Sequence, residues 1–272
     1  MEETLRLTEE ENQLITSAIQ ELHSNKNQVI PTNPDSLLVD QSSLRFSSAS
    51  WFNEVGTKDI LVAGCGGIGS FVSFILSRIK PRSITIYDDD KVDNTNLAGQ
   101  LFSTNDINKK KVESIKSFIV DYSNFYCLFT FPDKINTNTE ILPITIGCFD
   151  NMKARQLLFG NWLCNLSKIE DKNKKDWLFI DARLATEEFQ VYCFTGEDTY
   201  NIHKYEKECL FTDEEAETTV CSYKQTTFCA SMIGSIITNL VVNYCANLIG
   251  DYRDLPYFTY YDAKLMYLKT EA

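Results

Sequence analysis

Three glycines, Gly64, Gly66 and Gly69, stand in the spacing G-x-G-x-x-G, with Gly67 a fourth inside the run and Asp88 following. The chemistry open to that set is the holding of a nucleotide. Glycines so spaced allow a tight turn, a close approach of backbone to phosphate, and close packing of the next helix on the preceding strand. The helix that starts there points its free N–H groups and positive dipole end over the turn, where they favour phosphate. An acid about twenty residues on, at the end of the neighbouring strand, bonds ribose hydroxyls, and Asp88 has that place. A glycine-rich turn beside a surface acid is the plainer account. A second acid, Asp150, follows another apolar run. Beside a triphosphate it would hold Mg²⁺, often through water; its plainer role is to cap the helix that follows, and the two are compatible.

The elements that must position these residues are legible as patterns. Ile60 to Ala63 is an apolar run of strand length. Phe71, Val72, Phe74, Ile75, Leu76 and Ile79 recur at helical spacing, and Pro81 ends that helix. Strands are predicted over residues 83–87, 144–148, 177–180 and 189–194, with one or two more over 257–268. Helices are predicted from the Lys109-Lys110-Lys111 run, over 152–164 and over 232–249. The last is apolar enough to raise a membrane span, but Asn239, Asn243 and Asn247 put a polar stripe down one face, so it reads as a core helix. The fold class is therefore α/β: a Rossmann-like sheet, mostly parallel with antiparallel strands at the C-terminal end, and helices on both faces.

Five ordered words make the chain more specific than a dinucleotide fold: Gly64-Cys-Gly-Gly-Ile-Gly69, Asp88-Asp-Asp90-Lys-Val, Asn96-Leu-Ala-Gly-Gln100, Lys111-Val-Glu-Ser114, and Asp150-Asn151 with Arg155 downstream. Together they resemble the ThiF/MoeB/HesA family of ATP-dependent adenylating enzymes, which includes the ubiquitin-activating enzymes. The resemblance runs from about Arg45 to Leu268. It implies that the glycines, Asp88 and Asp90 hold ATP, that Asn96 and Gln100 meet its phosphates, that Lys111 is the catalytic lysine, and that Asp150 serves Mg²⁺. Arg45 matches the first arginine of a family segment that helps clamp ATP, often across a dimer interface. Ser48 stands where that segment has a second arginine, and Gly99 stands where the phosphate loop has one. Two cations are thus missing near a centre that builds negative charge. Arg183, just past a predicted strand, is the candidate replacement; a plain surface arginine is the alternative.

The resemblance also divides the chain into an N-terminal helical arm and loop, 1–44, and an adenylation domain, 45–272. Within the domain a crossover loop, 195–222, is expected to be irregular. In the arm, Thr8 and Glu11 suit a capping box before the apolar stripe Leu14, Ile15, Ala18, Ile19 and Leu22. That stripe packs on its own domain or docks another protein. Cys221 precedes the long apolar helix at the spacing of a family cysteine that joins covalently to the activated partner, and a thiolate near a helix N-terminus could attack an acyl-adenylate. A free cysteine is more often a small buried residue; Cys209 and Cys229 are the next candidates. Glu206 holds the place of the family's first zinc cysteine and no C-terminal Cys-x-x-Cys exists, so no structural zinc is expected.

The functional expectation is an adenylyltransferase that activates the C-terminal carboxylate of a small ubiquitin-like or sulfur-carrier protein with a Gly-Gly end, using ATP and Mg²⁺, as a homodimer. A non-catalytic nucleotide-binding or partner-binding scaffold of the same fold is the alternative. An NAD(P)-dependent oxidoreductase is a weaker one, since the two histidines, His23 and His203, lie away from the predicted site. A net charge of −12 argues against nucleic acid and anionic membrane as partners. Nine scattered cysteines and an acidic N-terminus without an apolar core point to a cytoplasmic protein with reduced thiols.

Overall fold

A computed structural model describes residues 41–211 and 225–272. The chain divides into two compact units, Met1–Gln41 and Ser42–Ala272, and the second carries the sheet. The capping box and stripe of the arm, and Cys221, lie outside the described residues.

After a single helical turn, α1 (Phe52–Val55), the chain runs β1 (Asp59–Ala63), α2 (Gly67–Arg78), β2 (Ser83–Tyr87), α3 (Lys111–Ser123), β3 (Leu128–Phe131) and β4 (Ile144–Gly147). There follow α4 (Met152–Leu166), β5 (Leu178–Leu184), β6 (Glu188–Thr195), α5 (Thr199–Lys204), α6 (Thr227–Leu248), β7 (Phe258–Asp262) and β8 (Tyr267–Glu271). The strands form one sheet in the order β3-β2-β1-β4-β5-β6-β7-β8. The pairs from β3 to β5 are parallel, and β6, β7 and β8 are added antiparallel.

Alternation along each strand sends side chains to two cores. Ile60 and Val62 of β1 join Ile84, Ile86, Ile144 and Ile146 under α2, α3 and α6. Leu61 and Ala63 face the other way, into an aromatic core of Phe159, Trp162, Phe179, Phe194 and Tyr205. Helix α6 lies so close to α2 that a methyl group on Gly234 would sit 3.0 Å from Phe71 Cβ. By length and composition α6 could cross a membrane, but its Ile233, Ile237, Val241 and Tyr244 are buried in the core. Part of its asparagine stripe secures the chain that follows: Asn243 Nδ2 donates to Asp254 O at 2.9 Å and Asn247 Nδ2 to Arg253 O at 3.0 Å.

Two elements differ from expectation. The first half of the crossover segment is helical rather than irregular: α5 is capped by Asp198, whose carboxylate accepts from Asn201 N at 3.0 Å, and runs into a π-turn at Tyr205–Cys209. Burial of Tyr205 among four aromatic rings organises that turn, a tertiary effect with no local signal. Edge strand β3 was also not foreseen, because only Leu128 of its four residues is buried.

Candidate functional site

The strand order reverses at β1, which has β2 on one side and β4 on the other, so a crevice opens beyond the carboxyl ends of β1 and β4. Gly64 leaves β1 with φ +97° and donates its N–H to Tyr87 O at 2.8 Å. A Cβ there would lie 2.8 Å from Cys148 O, and one on Gly69 would lie 1.8 Å from Gly64 O. These two glycines let β1, β4 and α2 pack together. Gly66 differs: a Cβ on it would meet nothing within 4 Å, and as N-cap of α2 it has no side-chain cap. The start of α2 is therefore open at Gly66, as a phosphate site requires.

Asp88 fastens this turn. Its Oδ2 accepts from Cys65 N at 2.6 Å and its Oδ1 from Asp90 N at 2.9 Å, each oxygen keeping lone-pair capacity for a further donor. Burial pushes its carboxyl above the ordinary range, against those bonds and the charge of Lys111. Lys111 opens α3, only 6% exposed, with Nζ on Asp90 Oδ2 at 2.8 Å and its backbone N–H on Asp90 O at 3.0 Å. Burial pulls the ammonium down, but the bond to Asp90 and the charges of Asp88 and Asp90 outweigh it, so its pKa is raised. The structure thus brings Asp88, Asp90 and Lys111 together with the glycine turn.

The loop after β2 forms the next wall. Asn96 caps it through its oxygen, accepting from Asp93 N at 2.9 Å, which leaves the Asn96 amide N–H₂ for other partners. Ser70 Oγ of α2 accepts from Leu101 N at 3.1 Å, and Thr227 at the start of α6 donates to Ala98 O. Gln100 Oε1 is buried without a partner, an acceptor that a ligand or water would satisfy. Beside this wall, beyond β2 and β3, lies a recess of about 530 Å³ lined by Tyr87, Phe131, Asp133, Lys134, Asn136 and Thr139. The Tyr87 and Phe131 rings stack at 4.6 Å.

Across the crevice, Asp150 is exposed beyond β4 and touched by Asn151 Nδ2 at 3.3 Å. The cap of α4 is Asn151, whose Oδ1 accepts from Ala154 N at 2.9 Å, so capping does not occupy Asp150. No group of three or more His, Cys, Asp or Glu among the described residues could cage a metal. A cation at Asp150 would take its other ligands from water and phosphate, the manner of Mg²⁺.

Arg183 is placed otherwise than a spare cation. Its Nε donates to Asp181 Oδ2 at 2.8 Å, its Nη2 to Cys209 O at 2.8 Å, and its guanidinium lies 4.8 Å from the Tyr192 ring. Asp181, 1% exposed, also pairs with Arg155, which donates to Ala182 O at 2.9 Å and to Phe149 O. Arg183 is thus held in a buried network that ties β4's end to the base of the crossover segment. Arg45 and Ser48 are exposed in the turns before α1, and no hydrogen bond or ion pair joins Arg45 to the crevice among the described residues. Cys209 is buried with Sγ 3.5 Å from Tyr257 Oη, and Cys229 is fully buried with its thiol pushed up by burial, so neither is poised as a nucleophile.

Two residues were missed. Asp181 carried a signal of its own, an acid inside an otherwise apolar strand with arginine two residues on. Gln225 carried none: its side chain enters the crevice between Gly67 and Gly99, a contact 126 to 158 positions away in sequence.

Comparison with known proteins fits this geometry. The family model of the ThiF family matches residues 41–270. The adenylyltransferase and sulfurtransferase UBA4 of Meyerozyma guilliermondii is 26% identical over 212 residues, covering 75% of this chain and 46% of that protein. Ubiquitin-like modifier-activating enzyme 5 of Caenorhabditis elegans is 25% identical over 154 residues, covering 51% and 36%. The chain spans less than half the length of these curated relatives. Among solved structures, PaaA superposes with a TM-score of 0.64 at 13% identity, covering 98% of this chain and 83% of that one. E. coli MccB with ATP gives 0.59 at 16%, covering 98% and 79%. These likenesses support the fold, and the family match over nearly the whole described sheet, glycine turn and Lys111 included, makes this chain a member of the ThiF family.

Proposed function

We propose that this chain is an adenylyltransferase that activates the C-terminal carboxylate of a small ubiquitin-like or sulfur-carrier protein with a Gly-Gly end. A carboxylate oxygen attacks the α-phosphorus of ATP, the bond to the bridging oxygen breaks, and pyrophosphate leaves with its electron pair, giving an acyl-adenylate. The observation that carries this is the convergence of an uncapped helix N-terminus at Gly66 with Lys111, Asp88 and Asp90 at the sheet's switch point. The recess beside Tyr87 and Phe131 takes the adenosine end, within the size range of small-molecule sites. The first turn of α2, Asn96 and Gln100 meet the phosphates, and Lys111 moves from Asp90 to the charge that builds in the transition state. Asp150 would hold Mg²⁺, which would offset the charge of the phosphates there.

Arg45 acts in this scheme from a second copy, so the working unit is a homodimer. The activated carboxyl passes to sulfur, on Cys221 or an outside donor. The eight cysteines of the described residues are free thiols, which supports a reducing, cytoplasmic setting. The absence of arginine at positions 48 and 99 favours one rival, a scaffold that keeps nucleotide or partner binding without catalysis. ATP–pyrophosphate exchange with Mg²⁺ and a panel of Gly-Gly-ended carriers decides between them. Exchange that requires both a carrier and Lys111 supports the enzyme; ATP binding without exchange from any carrier supports the scaffold.

A further inference from the structure

Gly67 and Gly99 lie on opposite sides of one side chain. A methyl group on Gly67 would sit 1.9 Å from Gln225 Oε1 and 2.6 Å from its Cδ. One on Gly99 would sit 2.7 Å from Gln225 Cγ and 3.1 Å from its Nε2. The side chain therefore runs from the loop after β2 to the first turn of α2, through a slot that exists because both walls lack Cβ. Its stem is held firmly: Thr226 is the N-cap of α6 and donates to Thr186 O at 3.0 Å, and Thr227 donates to Ala98 O. Its carboxamide, half-buried, makes no hydrogen bond to any other described residue. An amide with two N–H donors and a carbonyl oxygen is here set against the open turn where anions are favoured, with its hydrogen-bonding capacity unspent.

We propose that Gln225 is a phosphate-contacting residue of the nucleotide site, its amide N–H₂ donating to the phosphate chain across the slot between Gly67 and Gly99. The inference rests on the nucleotide-binding reading above and adds to it the group that takes the space an arginine at position 99 would need. A neutral donor positions phosphate through a charge-assisted hydrogen bond without adding a cation to neutralise it. An arginine at position 99 would push Gln225 out of its present place, because the arginine's Cβ would land 2.7 Å from Gln225 Cγ.

The test is calorimetric titration of the full chain with Mg·ATP, ADP, AMP and adenosine, comparing wild type with Q225A, Q225E, G99R and the double variant G99R/Q225A. Wild type binds ATP; Q225A weakens ATP about tenfold or more, as for loss of a hydrogen bond to a charged group, and leaves adenosine unchanged, which also reports a folded site. Q225E weakens ATP further. G99R alone binds poorly, and G99R/Q225A recovers wild-type affinity or better. Unchanged or tighter ATP binding by Q225A overturns the proposal and makes the side chain a plug. Equal loss of adenosine and ATP in Q225A overturns it too, by making the role structural. Failure of wild type to bind ATP removes the nucleotide reading itself, a result distinct from either.

Discussion

The two walls of the crevice hold their charges in opposite ways. On the β1–β2 side, Lys111 pairs with an Asp90 carboxylate that is 65% exposed, and Gln100 and Gln225 keep polar atoms unpaired. On the β4–β5 side, Arg155 and Arg183 share the fully enclosed Asp181 and spend their remaining donors on the carbonyls of Phe149, Ala182 and Cys209. The first arrangement can exchange a protein partner for a ligand. The second cannot do so without uncovering buried charge, because an ion taken from water and left without its partner is strongly disfavoured. The difference separates a wall whose charges are available to a ligand from a wall whose charges are committed to the fold, although both are built from charged residues.

The sharpest way to break that contrast is Asp181→Ala. Two buried guanidinium groups would lose their carboxylate, and stability measured by urea unfolding should fall by about 3–5 kcal/mol. Loss of less than about 1 kcal/mol would put this wall in the exchangeable class. Lys111→Ala should act on the other axis, lowering carrier-dependent pyrophosphate exchange about 10²–10³-fold, the range for removal of one transition-state donor. A variant that exchanges at the wild-type rate removes Lys111 from the site. Within the glycine turn the contrast repeats on a smaller scale. Gly69→Ala places a Cβ 1.8 Å from Gly64 O and should cost about 1–3 kcal/mol by overpacking, whereas Gly66→Ala meets no protein atom within 4 Å and should weaken ATP binding with little change in unfolding midpoint.

The smallest effect compares the two ends of the β1–β2 pair. Asp59, at the entry end, has its carboxyl lowered by a hydrogen bond from Arg82, with Ser83 assisting. A lowered folded-state pKa stabilises the protein above the unfolded value of about 3.9 and loses that contribution as pH falls through the folded value. Asp88, at the exit end, is raised by burial, so its ionised form costs stability and protonation on acidification relieves that cost. Unfolding of Asp59→Asn should therefore converge with wild type as pH drops below about 4, while the pH-dependent part of the Asp88→Asn difference should carry the opposite sign, the asparagine gaining on wild type at neutral pH and losing that gain on acidification. Parallel pH profiles for the two variants would erase the distinction between the ends.

Much of the first wall was legible because its parts lie close in sequence. Gly64 to Gly69, Asp88, Asn96, Gln100 and Lys111 fall within one βαβ unit and its extension, and local geometry alone brings a turn, a strand end and a helix start to one edge. The apolar runs of β1 and β4 were plain for a related reason: strands buried on both faces must be largely apolar. Arg183 shows where such reasoning stops. Its place in the chain, expected just past a strand and found near the carboxyl end of β5, fits a ligand-facing cation as well as a structural one, and the choice is made by Asp181 and the Cys209 carbonyl. The capping role expected of Asp150 likewise went to its neighbour Asn151, whose Oδ1 accepts from Ala154 N.

By itself, then, the sequence determined the α/β class and the glycine turn, because these depend on periodicity and on contacts between neighbours in the chain, and its five ordered words carried the resemblance to the family. Tertiary structure alone decided which charges are committed and which are available, and which side chain enters the slot between Gly67 and Gly99. Burial and pairing are properties of what packs against a group. For Gln225 those neighbours lie 126 and 158 positions back along the chain, and for Asp181 one of its two arginines, Arg155, comes from the preceding helix.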